Sequence, residues 1–452
     1  MKRRRIWGWY FFDWASQPYH TLLITFVFGP YFVSVAQASF QAGGVAEDIA
    51  KSDAQGMWSL GLLVAGLLIG LGAPVLGAFA DTTGRRMPWI AGFAAMYVAG
   101  AAGLWWALPD GSNLWWALVF FCFGFVGAEY ALIFTNAQLP ALGNRREIGR
   151  ISGSGFAFGY LGGLISLVLA LILLVEQPNG RTIAGLAPIF GLDAGAREGT
   201  RFVGPFVALW FALFMIPYCL WVREDSAYAR RTSIRAAFDS LAGAVRALRV
   251  RRSLAAYLGG SMLYRDALNG LYSFGGTYAT LVLGWEIAKV GVFGVVSVIA
   301  AAAFSFVGGR LDHRLGPKPV IVACILLLCG VCGVILSMTP SSVLGLAVAP
   351  GSIVPDAAFL ACGVLIGGLG GVVQASSRSL MVRHTDPEKP TESFGLYGLS
   401  GRATAFLAPM LIGAVTVATD SVRLGISPLI LLFLLGLILL FWVKPDGDRA
   451  AP

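Results

Sequence analysis

Residues 57–86 read Met57-Trp-Ser-Leu-Gly-Leu-Leu-Val-Ala-Gly-Leu-Leu-Ile-Gly-Leu-Gly-Ala-Pro-Val-Leu-Gly77-Ala-Phe-Ala-Asp81-Thr-Thr-Gly84-Arg85-Arg86. From Met57 to Ala80 there is no charged residue. As a helix rising about 1.5 Å per residue, that run reaches ~36 Å, enough to cross the ~30 Å hydrocarbon layer of a bilayer. An acid, a glycine and two arginines then follow at once, so the helix is predicted to end at a membrane face that gathers positive charge. This is one span of a bundle, and the rest of the chain repeats it.

Of all 452 residues, 57% are hydrophobic and only 13% charged, against roughly a quarter charged in a soluble domain. Twelve spans are predicted, near 9–36, 57–80, 88–108, 114–137, 151–176, 201–222, 254–283, 287–308, 319–338, 354–380, 393–418 and 424–443. The fold class is therefore an all-α membrane protein with the lipid bilayer as its first partner. The 33 lysines and arginines sort by loop. One set of connections holds 24 of them: Lys2 to Arg5, Arg85, Arg86, Arg145, Arg146, Arg150, those of 223–253, Arg310, Arg314, Lys318, Arg383, Lys389, Lys444 and Arg449. The other holds six, Lys51, Arg181, Arg197, Arg201, Lys289 and Arg423, and three lie inside spans. Basic residues stay on the cytoplasmic side, so both termini are expected there, which requires an even number of spans.

Trp105-Trp106 and Trp115-Trp116 flank the turn at 109–113 and mark the outer interface, where indoles prefer the headgroups. The net charge of +9 is thus a topology signal, and nucleic acid is excluded as a partner. The basic start runs straight into a full span without a small-residue cleavage site, so no removable signal peptide is expected. The expected location is a bacterial cytoplasmic (inner) membrane, crossed many times.

The longest charged interruption, 223–253, divides the chain. Within it Ile234, Phe238, Leu241, Val245 and Leu248 recur at helical spacing, with Arg235, Asp239, Arg246 and Arg249 on other faces, as in a helix lying along a membrane surface. Glycines recur every fourth residue at 155, 159 and 163 and at 363, 367 and 371, a pattern that lets helix backbones approach in lipid. All six cysteines fall in apolar runs, and Cys329-Gly-Val-Cys332 has no second metal-binding partner motif, so no metal or cofactor is expected. No nucleotide-binding GxxxxGK[ST] loop and no nucleophile–base pair points to ATP drive or to an enzyme.

Two segments carry a family resemblance. Gly77-Ala-Phe-Ala-Asp81-Thr-Thr-Gly84-Arg85-Arg86 resembles the GxxxDxxGRR signature that the major facilitator superfamily carries between spans two and three. Gly309-Arg-Leu-Asp312-His313-Arg-Leu-Gly316-Pro-Lys318 is an altered copy at the exit of span eight; aligned on its glycines, His313 takes the place of the aspartate and Asp312 stands one residue early. Further segments resemble the vacuole effluxer-like branch: Trp9-Tyr10-Phe-Phe-Asp13-Trp14-Ala15-Ser16, Gly149-Arg150-Ile-Ser152 through Gly163, Gln374-Ala-Ser-Ser-Arg378-Ser379-Leu380, and Phe394-Gly395-Leu-Tyr397 through Thr404. Ser16-Gln17 replaces the usual Asn-Ser, and Arg265 stands where asparagine often precedes the aspartate of span seven.

The resemblance implies two pseudo-symmetric six-helix bundles, 1–222 and 254–452, joined by a cytoplasmic amphipathic linker at 223–253. It implies a transporter of small metabolites, amino acids leaving the vacuole being the eukaryotic theme. It also implies a conformational latch at Gly77, Asp81, Gly84, Arg85 and Arg86, with Asp312, His313 and Gly316 in the second copy.

Charge inside spans is costly and normally faces a partner or a water-filled cavity. Away from the span ends it is confined to Asp13, Glu129, Arg265, Asp266, Arg378 and Arg402. In the superfamily fold spans one, four, seven and ten line the cavity, and five of the six residues lie on them. Spacing groups Tyr10, Asp13, Gln17 and His20 on one face of span one, Asp266, Asn269 and Ser273 on span seven, Glu129 and Asn136 on span four, and Gln374 and Arg378 on span ten. Asp13, Gln17, Glu129, Asn136, Arg265, Asp266, Asn269, Gln374, Arg378 and Arg402 are thus the candidate substrate and ion residues. For Arg378 and Arg402, a substrate clamp and a gate contact both remain open.

The expected function is alternating access. A monomer would carry a small polar solute, with protons as a candidate coupling ion. The alternative is a membrane-embedded sensor or scaffold on the same fold.

Overall fold

The computed structural model describes residues 2–222, 234–349 and 351–448. The part of the expected linker at 223–233, and the basic residue Arg449, lie outside the described residues. In chain order the helices are α1 (Lys2–Pro18), a π-wound segment Tyr19–Phe26, α2 (Phe28–Ala42), α3 (Glu47–Thr83), α4 (Met87–Gly103), α5 (Leu114–Asn136), α6 (Arg145–Leu173) and α7 (Glu198–Trp221). Then follow α8 (Ile234–Ala247), α9 (Arg252–Leu281), α10 (Ile287–Leu315), α11 (Pro317–Ser337), α12 (Val354–His384), α13 (Pro390–Ala403), α14 (Leu407–Thr419) and α15 (Ser427–Phe441). A small antiparallel hairpin, β1 (Ser342–Val343) and β2 (Leu346–Ala347), sits in the connection after α11.

Among the described residues, eleven helical stretches are long and apolar enough to cross a membrane. α9 is the twelfth span by position. Its 30 residues have the length, and its polar residues, Arg265 and Asp266 among them, lower its mean hydropathy below that of the other eleven. The eleventh predicted span is α13 and α14 together, with a break at 404–406. The chain is a multi-pass membrane protein.

Two compact units are interleaved along the chain: residues 1–73, 80–136 and 158–231 form the first, and 74–79, 137–157 and 232–452 the second. α3 and α6 each give a segment to both.

In the first unit, helices touch where side chains are smallest. Gly100 of α4 crosses Gly124 of α5 so closely that a Cβ on Gly100 would stand 2.3 Å from the Gly124 Cα. Aromatic rings fill the rest, with Tyr97 stacked on Phe211 at 3.9 Å and Trp58 against Phe121 at 4.4 Å. Leu60, Leu63, Val64, Leu67, Leu68 and Leu71 form an exposed stripe along α3. Such a stripe is solvated by acyl chains, so lipid replaces the hydrophobic drive and close packing holds the helices together.

The second unit repeats the rule. Gly363, Gly367 and Gly371 of α12 receive Phe293, the Ser297 backbone and Ser305 of α10. Gly260 of α9 meets Gly436 of α15.

Candidate functional site

In the first unit the polar stripe of span one divides in two. Pro18 has no N–H for the carbonyl of Trp14, and that oxygen instead accepts the Trp210 indole at 3.3 Å. Beyond Pro18 the helix widens to π winding, and it breaks at Val27 (φ −124, ψ −68), just before Pro30. The Tyr19 hydroxyl pins the widened stretch to α5 by donating to the Phe121 carbonyl at 2.6 Å. Next to it, His20 Nε2 stands 3.6 Å from Glu129 Oε1, the imidazole part-exposed and the carboxylate nearly enclosed. Protonated, the imidazole makes this an ion pair; neutral, it does not. π turns inside α-helices recur at functional sites.

Asp13 is buried. A Cβ on Gly159 would lie 3.3 Å from Asp13 Cβ, and one on Gly163 2.8 Å from Gln17 Cγ, so α6 glycines seat both residues. Asn136, half-buried, ends α5. In the loop after α3, Arg86 reaches Asp81 at 3.4 Å.

In the second unit Asp266 departs from expectation. Its predicted place was an aqueous face, yet it is 3% exposed, and Oδ2 accepts the Ala408 N–H at 3.1 Å. The cause lies in Pro409, which has no N–H for the Ala405 carbonyl and crowds it with its ring, breaking the span about one turn upstream. Ala408 is left in the first turn of α14 with a free N–H, and Asp266 caps it. Oδ1 finds no hydrogen-bond partner among the described residues.

Asn269 and Ser273 are exposed, and Arg265 is half-buried beside them. The Arg265 guanidinium lies 4.4 Å from the centre of the Tyr397 ring, and Nη1 donates to the Tyr397 carbonyl at 3.3 Å. Arg402, near the end of α13, and Gln374, one turn before Arg378, are half-buried.

The densest polar construction is a seam inside the second unit, where the start of α6 meets α10 and α12. Arg378 is 2% exposed. Its Nε donates to Ser152 Oγ and its Nη2 to the Ser152 carbonyl, both at 2.9 Å, with the Phe156 ring 4.2 Å away. Ser152 Oγ donates in turn to the Ala375 carbonyl at 2.7 Å. Alongside, Asp312 is 2% exposed and accepts from Ser379 Oγ at 3.4 Å.

Glycine makes the approach possible. A Cβ on Gly149 would come 2.3 Å from Asp312 Oδ1, and one on Gly153 2.5 Å from the Gly309 Cα. His313 Nδ1 donates to the Arg146 carbonyl at 2.7 Å. Asp312, one residue early in the motif, is therefore the member that enters the seam, and His313 stays at its rim. Gly77 rests on α13, where its Cβ would lie 2.6 Å from the Thr391 carbonyl. The motif glycines Gly84 (φ +70) and Gly316 (φ +86) end α3 and α10 in conformations that glycine adopts without strain.

Ser152, Gly153, Gly309 and Ser379 were not singled out as site residues by sequence, though the small-residue run Ser152-Gly-Ser-Gly155 was a signal. His20 was placed on its stripe, but its pairing with Glu129 was not foreseen.

The sequence profile described as "Vacuole effluxer Atg22 like" matches residues 1–451. An uncharacterised MFS-type transporter, YxiO, of Bacillus subtilis (strain 168) is 24% identical over 443 residues, covering 97% of this chain and 94% of that one. Autophagy-related protein 22 of Chaetomium globosum is 26% identical over 293 residues, covering 61% of this chain and 42% of the fungal one, so the match spans less than half of that relative. Among solved structures, the proton:xylose symporter XylE superposes with a TM-score of 0.70 at 12% identity, covering 97% of this chain and 94% of that one. FucP in its outward conformation gives 0.67 at 14%, covering 98% and 99%. At such identities the likeness is one of fold.

Proposed function

Because the chain belongs to the vacuole effluxer Atg22-like family and has the major facilitator fold, we propose that it moves a small polar metabolite, of the amino-acid class, across a bacterial cytoplasmic membrane by alternating access. Both termini lie inside, in accord with 24 basic residues on one side against six on the other. The observation that carries the reading is the seam. Arg378 and Asp312 are buried where hydrogen bonds and bare glycine backbone hold helices together, a contact made to part and re-form without unfolding anything. Asp81 and Arg86 act as the companion latch at the end of α3.

Protons are the coupling ion, and His20 with Glu129 is the site that takes them up, since their pairing depends on protonation. Arg265, Asn269, Gln374 and Arg402 are the substrate-side residues of the second unit, and Asp13, Gln17 and Asn136 those of the first; Asp266 supports the second set by holding α14. The test is proteoliposome uptake of a mixed amino-acid pool at two internal pH values, read by mass spectrometry. An imposed proton gradient should drive accumulation, and Glu129→Gln should abolish that drive while exchange at equal pH persists. If no solute moves under any gradient, the sensor or scaffold reading replaces this one.

A further inference from the structure

Between Lys318 and Asp356 the chain has no charged residue, although it leaves α11, turns through the β1–β2 hairpin and enters α12 on the way. β1 packs against α11 and α12, and the tip beyond it is apolar and exposed. Its two-residue loop is Leu344-Gly345, closed by the pair Val343 and Leu346. Both loop residues have positive φ, +54 and +78. Asparagine and glycine usually make that turn, because the left-handed region strains any larger side chain. A leucine there is disfavoured by the backbone and, at 62% exposed, by water as well. Leu346 is 73% exposed, and Ile353 at the entry to α12 is exposed too. Residues of this kind at the tip point to apolar surroundings beyond the protein.

Dimensions say what those surroundings are. α11 has 21 residues, ~31 Å of helix, which matches the ~30 Å hydrocarbon layer. It starts beside Lys318 on the basic face, so Ser337 stands at the opposite boundary. The Tyr278 hydroxyl pins the chain just past that point by donating to the Met338 carbonyl at 2.8 Å. Strands of two residues rise only about 7 Å, no more than the ~5–8 Å headgroup zone on each side of a bilayer. The hairpin also closes its own backbone. The Thr339 N–H bonds the Ser342 carbonyl at 2.8 Å and the Val348 N–H the Ser341 carbonyl at 2.9 Å, which lowers the cost of leaving water.

We propose that the β1–β2 hairpin is an interfacial anchor, lying in the headgroup layer opposite the basic loops with Leu344 and Leu346 turned toward the acyl chains. Its partner is the lipid surface, as it is for the exposed Leu326 and Leu327 of α11. The anchor fixes the depth of α12, which begins at Val354, seven residues beyond β2, and carries Gln374 and Arg378.

The test is hydroxyl-radical footprinting of the full chain in lipid nanodiscs holding one chain each, read residue by residue by peptide mass spectrometry. Val250, exposed between Arg249 and Arg251, is the water reference, and Leu71 on the exposed stripe of α3 is the lipid reference. Rates are corrected for the intrinsic reactivity of each side chain. Leu344 and Leu346 should then oxidise as slowly as Leu71, about tenfold below Val250, because radicals formed in water reach little of a side chain held at the acyl boundary. Leu344→Asn suits the same turn, so the hairpin is kept, yet oxidation at Leu346 should rise toward the water reference. Oxidation of Leu344 and Leu346 at the Val250 rate overturns the proposal. So does protection that appears only in discs holding two chains, which would make a second copy the partner.

Discussion

Ser152→Ala isolates the seam's central contact. The substitution removes the oxygen that accepts from Arg378 Nε at 2.9 Å and donates to the Ala375 carbonyl at 2.7 Å. The bond from Arg378 Nη2 to the Ser152 carbonyl is kept. A hydrogen bond to a charged group is worth about 1.5–3 kcal/mol and a neutral one about 1 kcal/mol, less whatever water restores when the seam opens. Taking ~2 kcal/mol as the loss in the closed state, the open-to-closed ratio rises about 30-fold.

Hydrogen exchange on the full chain in nanodiscs, followed in peptides covering 145–157 and 372–384, should speed up by about that factor. Ser166→Ala is the control. It makes the same change in the same helix but removes only a bond to the Gly163 carbonyl one turn back, and should leave the seam peptides alone. Unchanged exchange in Ser152→Ala, or an equal effect from Ser166→Ala, would refute the assignment of the seam as the closing contact.

Three further outcomes are expected. Asp266→Ala removes the cap on α14 and should lower thermal stability by about 1 kcal/mol, whereas Asp266→Asn keeps an acceptor for Ala408 and should lose about half that or less; equal losses would mean that charge, not capping, matters. Gly367→Leu drives a side chain into the Ser297 carbonyl, 2.2 Å from its Cβ, and should cost about 2–3 kcal/mol, while Gly259→Ala, whose nearest neighbour is 3.4 Å away, should express and melt as the parent does. Cysteines introduced at Gly44 and Arg249 should label from opposite sides of the membrane; labelling from one side would overturn the topology.

Where length and apolarity alone define an element, the sequence was sufficient. Each apolar run of about 20 residues became helical, the first and the eleventh with a break inside, and α9 was recognised despite Arg265 and Asp266 because its flanks are apolar and its position falls in step with the others. What escaped was geometry set by missing atoms. The break at 404–406 traces to Pro409, a residue that a reading by hydropathy passes over because it does not alter the average. The bond from the Ala408 N–H to Asp266 escaped with it, since that N–H is free only because the span breaks there.

The seam was half legible. Arg378 and Asp312 stood out as charges, but their partners on α6 are a serine and two glycines, residues with no signature beyond small size. The pairing of His20 with Glu129 was hidden because π winding shifts the phase that helical spacing assumes.

That winding bears on how much length variation span one can absorb. An ordinary helix turns about 100° per residue. Losing one residue from a regular stretch therefore swings everything beyond it by that angle, and Phe28 and Phe32, buried here beside Trp58, would be carried off their partner. A π turn amounts to an α-helix holding one residue more than its pitch allows. Residues 19–26 therefore hold slack in the chain. A deletion within them lets the coil tighten to normal pitch while both ends keep their neighbours, whereas the same deletion a few residues to either side turns one end against the other.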